Sequence, residues 1–131
     1  MQKLIYPVKF NSFMTELVAC LSTGKGTWGH VSRLIQEVKW DKVFLLTNEY
    51  GKENFTKDDK TEFIVVNADQ GLRELRDEIQ NKLKDLIKGP EVAVNFISGI
   101  GKEHMALMAA LLKLGVGMRF VALTKEGVQE L

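Results

Sequence analysis

The run Val92-Ala93-Val94-Asn95-Phe96-Ile97-Ser98-Gly99-Ile100-Gly101-Lys102-Glu103-His104-Met105 decides the fold. Its first half, Val92 to Ile97, is apolar except for Asn95, which suits a strand covered on both faces. Its second half opens directly into a helix from Glu103 to Leu114 that is apolar nearly all round between Met105 and Leu112. Such a helix is expected to be buried against a sheet and against something else as well. Between the two, Ser98, Gly99 and Gly101 let the backbone turn sharply, and Lys102 falls in the first helical turn. Helix-start amides, the positive end of the helix dipole, a hydroxyl and an ammonium converge on one spot. That spot is expected to take an anion, and a phosphate above all.

The same alternation extends in both directions. Leu17-Val18-Ala19-Cys20-Leu21, Val43-Phe44-Leu45-Leu46 and Phe63-Ile64-Val65-Val66 read as buried strands, and Met118 to Leu123 reads as a fifth. Trp28, Val31, Leu34, Ile35 and Val38 recur at helical spacing, while Tyr50 to Lys60 reads as a polar loop with about one helical turn. Gln70 to Lys88 is the clearest helix, with Leu72, Leu75, Ile79, Leu83, Leu86 and Ile87 as its apolar stripe and Gly89-Pro90 as its stop. Short apolar strands alternating with helices predict an α/β class: a three-layer Rossmann-like domain around a mainly parallel five-stranded sheet. Residues 15–131 would form this single domain, and residues 1–14 an extended arm or edge strand, with Leu4, Tyr6, Val8 and Phe10 alternating around Pro7.

Composition bounds the function. The chain has 131 residues, 45% hydrophobic and 27% charged, which is ordinary for a globular domain. Its formal net charge of +1 supplies no basic excess for gripping duplex nucleic acid. The single Cys20 forbids an internal disulfide and reads as a small buried hydrophobe. His30 and His104 stand alone, so no metal site is expected, and no cofactor either. Neither a signal peptide nor a membrane span is legible, so a cytoplasmic protein without membrane contact is expected.

In wound sheets ligands bind beyond the carboxyl ends of the strands, where the strand order reverses. The reversal should fall between the strands at Leu17–Leu21 and Val92–Ile97. Both end in small-residue loops that lead into helices: Ser22-Thr23-Gly24-Lys25-Gly26-Thr27 and Ser98-Gly99-Ile100-Gly101-Lys102. Side by side they would make a cleft with two ammonium groups and several free amides. Neither loop is a Walker motif, because Phe96 stands where its first glycine belongs and Glu103 follows the lysine. Gly24, Gly26 and Gly29 with Glu49 formally match a dinucleotide fingerprint, although bulky Trp28 precedes the third glycine.

Asn95, Ser98, Gly99, Gly101, Lys102, Met105 and Ala109 together resemble the second signature of CARF domains, the CRISPR-associated Rossmann-fold sensors of antiviral defence. The resemblance spans roughly residues 15–125, with Ile100-Gly101 where the family usually shows Gly-Thr, and with two residues rather than one between Asn95 and Ser98. It implies a homodimer that binds a cyclic oligoadenylate in a two-fold pocket built from the strand-one and strand-four loops. Some members are ring nucleases that cut this ligand without a metal, the ribose 2′-hydroxyl attacking the adjacent phosphate in line. Carried over by position, Ser22, Thr23 and Lys102 would face the phosphates. Lys102 would stabilise the developing charge, and Ser98, Gly99 and Gly101 would supply backbone contacts. The chain would then be a stand-alone sensor, ring nuclease or ligand sponge.

Around this core of the site the residues allow more than one role. Lys25, Gly26, Thr27, Ile100 and His104 would complete the ligand-binding set with Ser22, Thr23, Gly24 and Asn48. His104 is a candidate general base but, like His30, reads first as a partly buried structural histidine. Trp28 reads as a core residue or a base-stacking ring, and Tyr50 and Asn48 as neighbours of a ribose or base. Arg119 and Lys125 would rim the pocket or face water, while Met105 and Met108 would pack the sheet or a dimer interface. Two other functions stay open: a ligand-free regulatory or interaction domain, and a dinucleotide-binding module using Gly24, Gly26, Gly29 and Glu49.

Overall fold

The computed structural model describes residues 16–131; the arm expected over residues 1–14 lies outside the described residues. The elements run β1 (Glu16–Cys20), a single 3-10 turn (Lys25–Thr27), α1 (Trp28–Glu37), β2 (Lys42–Thr47), α2 (Glu49–Asn54) and β3 (Thr61–Val65). They continue with α3 (Leu72–Leu83), β4 (Glu91–Asn95), α4 (Gly101–Lys113), β5 (Gly117–Thr124) and β6 (Gly127–Glu130). The sheet order is β3-β2-β1-β4-β5-β6, with β1 to β5 parallel and β6 antiparallel to β5. This is the expected Rossmann-like α/β fold, with the order reversing between β1 and β4.

Alternate residues of each buried strand feed two cores, because strand side chains point to opposite faces in turn. Val18, Cys20, Phe44, Leu46, Val92 and Val94 meet Leu75, Ile79 and Leu83 of α3 and Leu107 and Leu111 of α4. On the other face Leu17, Ala19, Leu21, Val43, Leu45 and Ala93 meet Val31, Leu34 and Ile35 of α1. Both faces being covered explains why the strands read as unbroken apolar runs. At the amino ends of the strands, buried Glu16 ties the sheet to the α3–β4 turn by accepting hydrogen bonds from the Lys88 and Gly89 amides, at 2.9 and 2.8 Å.

The structure corrects the sequence reading in four places. A sixth strand, β6, follows the turn at Thr124–Gly127, where Gly127 takes a φ of +99° and Thr124 Oγ1 donates to the Gly127 carbonyl. Helix α3 stops at Leu83, before Gly89-Pro90, because the chain tightens there: Leu86 and Ile87 amides both return to the Leu83 carbonyl, and their side chains still pack on the core. Leu72 is not part of the buried stripe; it is exposed at the start of α3. Arg119 is remote from the strand carboxyl ends and pairs with Glu91 and Glu130, at 3.0 and 3.3 Å. Among the described residues no helix is long and apolar enough to cross a membrane.

Candidate functional site at the strand carboxyl ends

The two glycine loops meet over the β1/β4 boundary. The Ser22 amide donates to Ser98 Oγ at 2.7 Å, Ser98 Oγ donates to Ser22 Oγ at 3.1 Å, and Ser22 Oγ donates onward to the Gly24 carbonyl at 2.8 Å. This chain of hydroxyls joins residues 76 apart in sequence. It exists because β1 and β4 are direct neighbours, with Ala19 opposite Asn95. Ser98 is buried, and its carbonyl is also engaged, by His104 Nε2 at 2.8 Å. The Ser98 side chain is therefore a strut between the loops, while Ser22 is half-exposed at the cleft.

The rim is open. Thr23, Gly24, Lys25, Gly26, Ile100 and Gly101 are exposed, and Thr27, Gly99 and Lys102 are half-buried. Lys25 Nζ lies 5.6 Å from the centroid of the Trp28 ring, a cation–π distance. Of the two β4-loop glycines only Gly99 needs to be one: its φ is +98°, whereas an added Cβ at Gly101 meets nothing within 4 Å. An added Cβ at Gly26 or Gly29 likewise meets no protein atom within 4 Å, so Gly29 does not serve the close helix–strand packing that the third glycine of a dinucleotide fingerprint provides.

Lys102 and Glu103 show what the helix start does with its own charges. Glu103 Oε1 accepts from the Ile100 amide at 3.1 Å, occupying part of the anion-seeking end of α4 with an internal carboxylate. Lys102 Nζ donates to the carbonyl of Gln70 in the β3–α3 loop. Its ammonium is thus tied to the loop that leads into α3. Asn48, expected near the ligand, uses its side-chain oxygen to cap α2 at the Gly51 amide, 3.0 Å away. His104 stacks flat on Phe96, 5.0 Å between centroids and 8° between planes, and donates to Ser98. Cys20 beneath the loops is fully buried, and desolvation, with a smaller contribution from Glu103, pushes its thiol far above the ordinary range. It offers no thiolate.

Three participants escape the sequence reading. Glu103 at the third position of a helix is a capping signal in its own right. Thr47 Oγ1 fastens the end of β2 to the Leu21 carbonyl at 3.0 Å, and Gln70 receives Lys102; neither leaves a local trace.

His30 sits below the first loop, in the first turn of α1, and braces β4 and β5. Its Nε2 accepts from the Leu123 amide at 3.3 Å and lies 3.3 Å from Asn95 Nδ2, which also donates to the Val121 carbonyl at 2.8 Å. Burial lowers the His30 pKa below its ordinary 6.5. Above 6.5 the ring is neutral in folded and unfolded chains alike, so this brace is then intact. As pH falls below that value the unfolded chain takes up a proton that the folded chain resists, and stability is lost. Thermal melts should therefore show a midpoint that drops on mild acidification, with the slope reduced in His30→Gln; an unchanged slope would assign the loss to other groups.

Compared with known proteins, the chain matches no family model and no curated sequence.

Proposed function

We propose that the chain is a CARF-like nucleotide sensor that binds a cyclic oligoadenylate through its phosphates in the cleft between the Ser22–Thr27 and Ser98–Lys102 loops. The observation that carries this reading is the adjacency of two glycine-rich, lysine-bearing loops over the β1/β4 reversal, joined by the Ser22–Ser98 hydroxyls. Strand-end clefts at such reversals are where wound sheets hold nucleotides. Thr23, Gly24, Lys25 and Gly26, all exposed, supply one wall. Lys102 supplies the other by leaving the Gln70 carbonyl for a phosphate, a rotamer change within reach of a long flexible ammonium side chain.

The working unit under this reading is a homodimer. Met105, Leu112, Ile97, Ile100 and Phe120 are all large, apolar and exposed, and the first two lie on α4 opposite its buried Ala106, Leu107, Ala110 and Leu111. A second copy laid on this face would cover it and bring two β4 loops together. In that pocket the chain would act as sensor or as metal-independent ring nuclease. For cleavage, a ribose 2′-hydroxyl would attack the adjacent phosphorus, closing a 2′,3′-cyclic phosphate as the bond to the 5′-oxygen breaks and that oxygen takes up the proton the 2′-hydroxyl gives up. Lys102 would steady the charge on the phosphate, with Ser22 beside it.

Cyclic tetra-adenylate at about 100-fold over its dissociation constant should stabilise the protein by roughly 2.7 kcal/mol, read as a raised melting temperature. Lys102→Ala should abolish the shift. A second reading, a ligand-free regulatory domain, is favoured by one observation: Lys102 and Glu103 already satisfy groups of the protein itself. No shift with any cyclic oligonucleotide decides for that reading.

A further inference from the structure

Beside the first glycine loop the structure places a group of aromatic rings that the phosphate cleft does not use. Trp28 opens α1, Tyr50 lies in the first turn of α2, and their ring centroids are 6.3 Å apart at an angle of 51°. Phe55 meets Trp28 edge-on at 5.5 Å and 78°, and Phe63 backs Phe55 in turn at 6.4 Å. The indole is pinned from the other direction too, because Trp28 Nε1 donates to the Ser22 carbonyl at 2.9 Å. The rings and the loop are thus one rigid assembly, and the carbonyl that holds the indole belongs to the residue that bridges the two glycine loops.

Tyr50 is the ring of this assembly that faces outward, at 42% exposure. Its position is set by Gly51. That glycine is buried, and a Cβ there would collide with Thr47 Oγ1, so α2 can lie this close to the end of β2 only with a glycine next to Tyr50. Thr47 in turn is held by the Leu21 carbonyl, one residue before the first loop. An outward tyrosine is therefore fixed against the Trp28 indole, with the Lys25 ammonium over that same indole.

We propose that Tyr50, buttressed by Trp28, is a nucleobase platform that gives the cleft a preference for purine over pyrimidine rings. The proposal rests on the phosphate-binding reading above. A centroid separation of 6.3 Å leaves no room for a third ring between Trp28 and Tyr50, so the base lies over the outer face of Tyr50. Stacking on an aromatic face accepts any base but strengthens with the size of the base's own π-system, so purines gain most. Tyr50 is a specificity-determining residue in this arrangement and takes no part in bond making.

The test compares cyclic tetra-adenylate with cyclic tetra-uridylate by calorimetric titration of the full chain and of its Tyr50→Ala and Tyr50→Phe variants. Wild type should bind the adenylate ring more tightly. Tyr50→Ala should weaken adenylate binding about tenfold, in keeping with the usual worth of base–aromatic stacking, and should narrow the gap between the two rings. Tyr50→Phe keeps the face and should bind like wild type. Unchanged adenylate binding by Tyr50→Ala, or equal binding of both rings by wild type, overturns the platform and leaves the phosphate cleft standing. Failure of wild type to bind either ring overturns the phosphate reading and the platform with it.

Discussion

Gly99→Ala is expected to destabilise the protein by about 2–5 kcal/mol, the combined scale of a non-glycine residue forced to positive φ and of overpacking. Gly99 has a φ of +98°, and a Cβ there would lie 2.9 Å from Glu103 Oε1, 3.0 Å from Cys20 Cβ and 3.0 Å from His104 Nε2. None of the three yields freely. Cys20 is locked in β1, Glu103 holds the Ile100 amide, and His104 holds the Ser98 carbonyl. Relief of the clash would unfasten the helix start from the loop, so the cleft should lose its shape together with the stability. Gly101→Ala is the control two residues on. Its Cβ meets nothing within 4 Å, and it stands at the first position of α4, so it should be neutral or stabilising by up to about 1 kcal/mol. Urea unfolding of the two variants measures both effects, and equal midpoints would refute the account of Gly99.

Leu107→Ala is expected to cost about 2–5 kcal/mol, the range for deleting a fully buried leucine and leaving a cavity. Leu107 is completely inaccessible in the core shared by β1, β2, β4 and both helices of that face. Leu112, five residues along the same helix, is 66% exposed. Leu112→Lys should change the unfolding free energy of the monomer by no more than about 0.5 kcal/mol, as surface substitutions do. Under the dimer proposal it should nevertheless convert the protein to monomers in sedimentation velocity. A wild type that sediments as a monomer would remove the dimer from the functional reading while leaving the Leu107 prediction intact.

These paired positions show how far local pattern reaches. Every residue of α4 from Met105 to Leu112 is apolar, so periodicity reveals a buried helix without saying which side is buried. Packing against α3 and the sheet selects Ala106, Leu107, Ala110 and Leu111 and leaves Met105 and Leu112 outside. Strand β6 escaped for a related reason. Gly127-Val128-Gln129-Glu130 carries one buried apolar residue, Val128, and gains its identity only from pairing with β5. Helix α3 ends earlier than its apolar rhythm suggests, because Leu86 and Ile87 continue that rhythm after the helix has already tightened into a turn.

The sequence by itself determined the doubly wound α/β fold and the two loops that flank its reversal. Strands buried on both faces must be apolar throughout, and glycines, serines and lysines at their ends stand out against that background. Tertiary structure decided which partners those residues take. Ser98 became a buried strut once β1 and β4 paired, Asn48 became a helix cap, and Lys102 found the Gln70 carbonyl 32 residues away across the α3–α4 contact. Each of these outcomes depends on a partner distant in sequence or on the exact course of a turn, and hydrogen-bonding groups take the nearest partner that folding brings them.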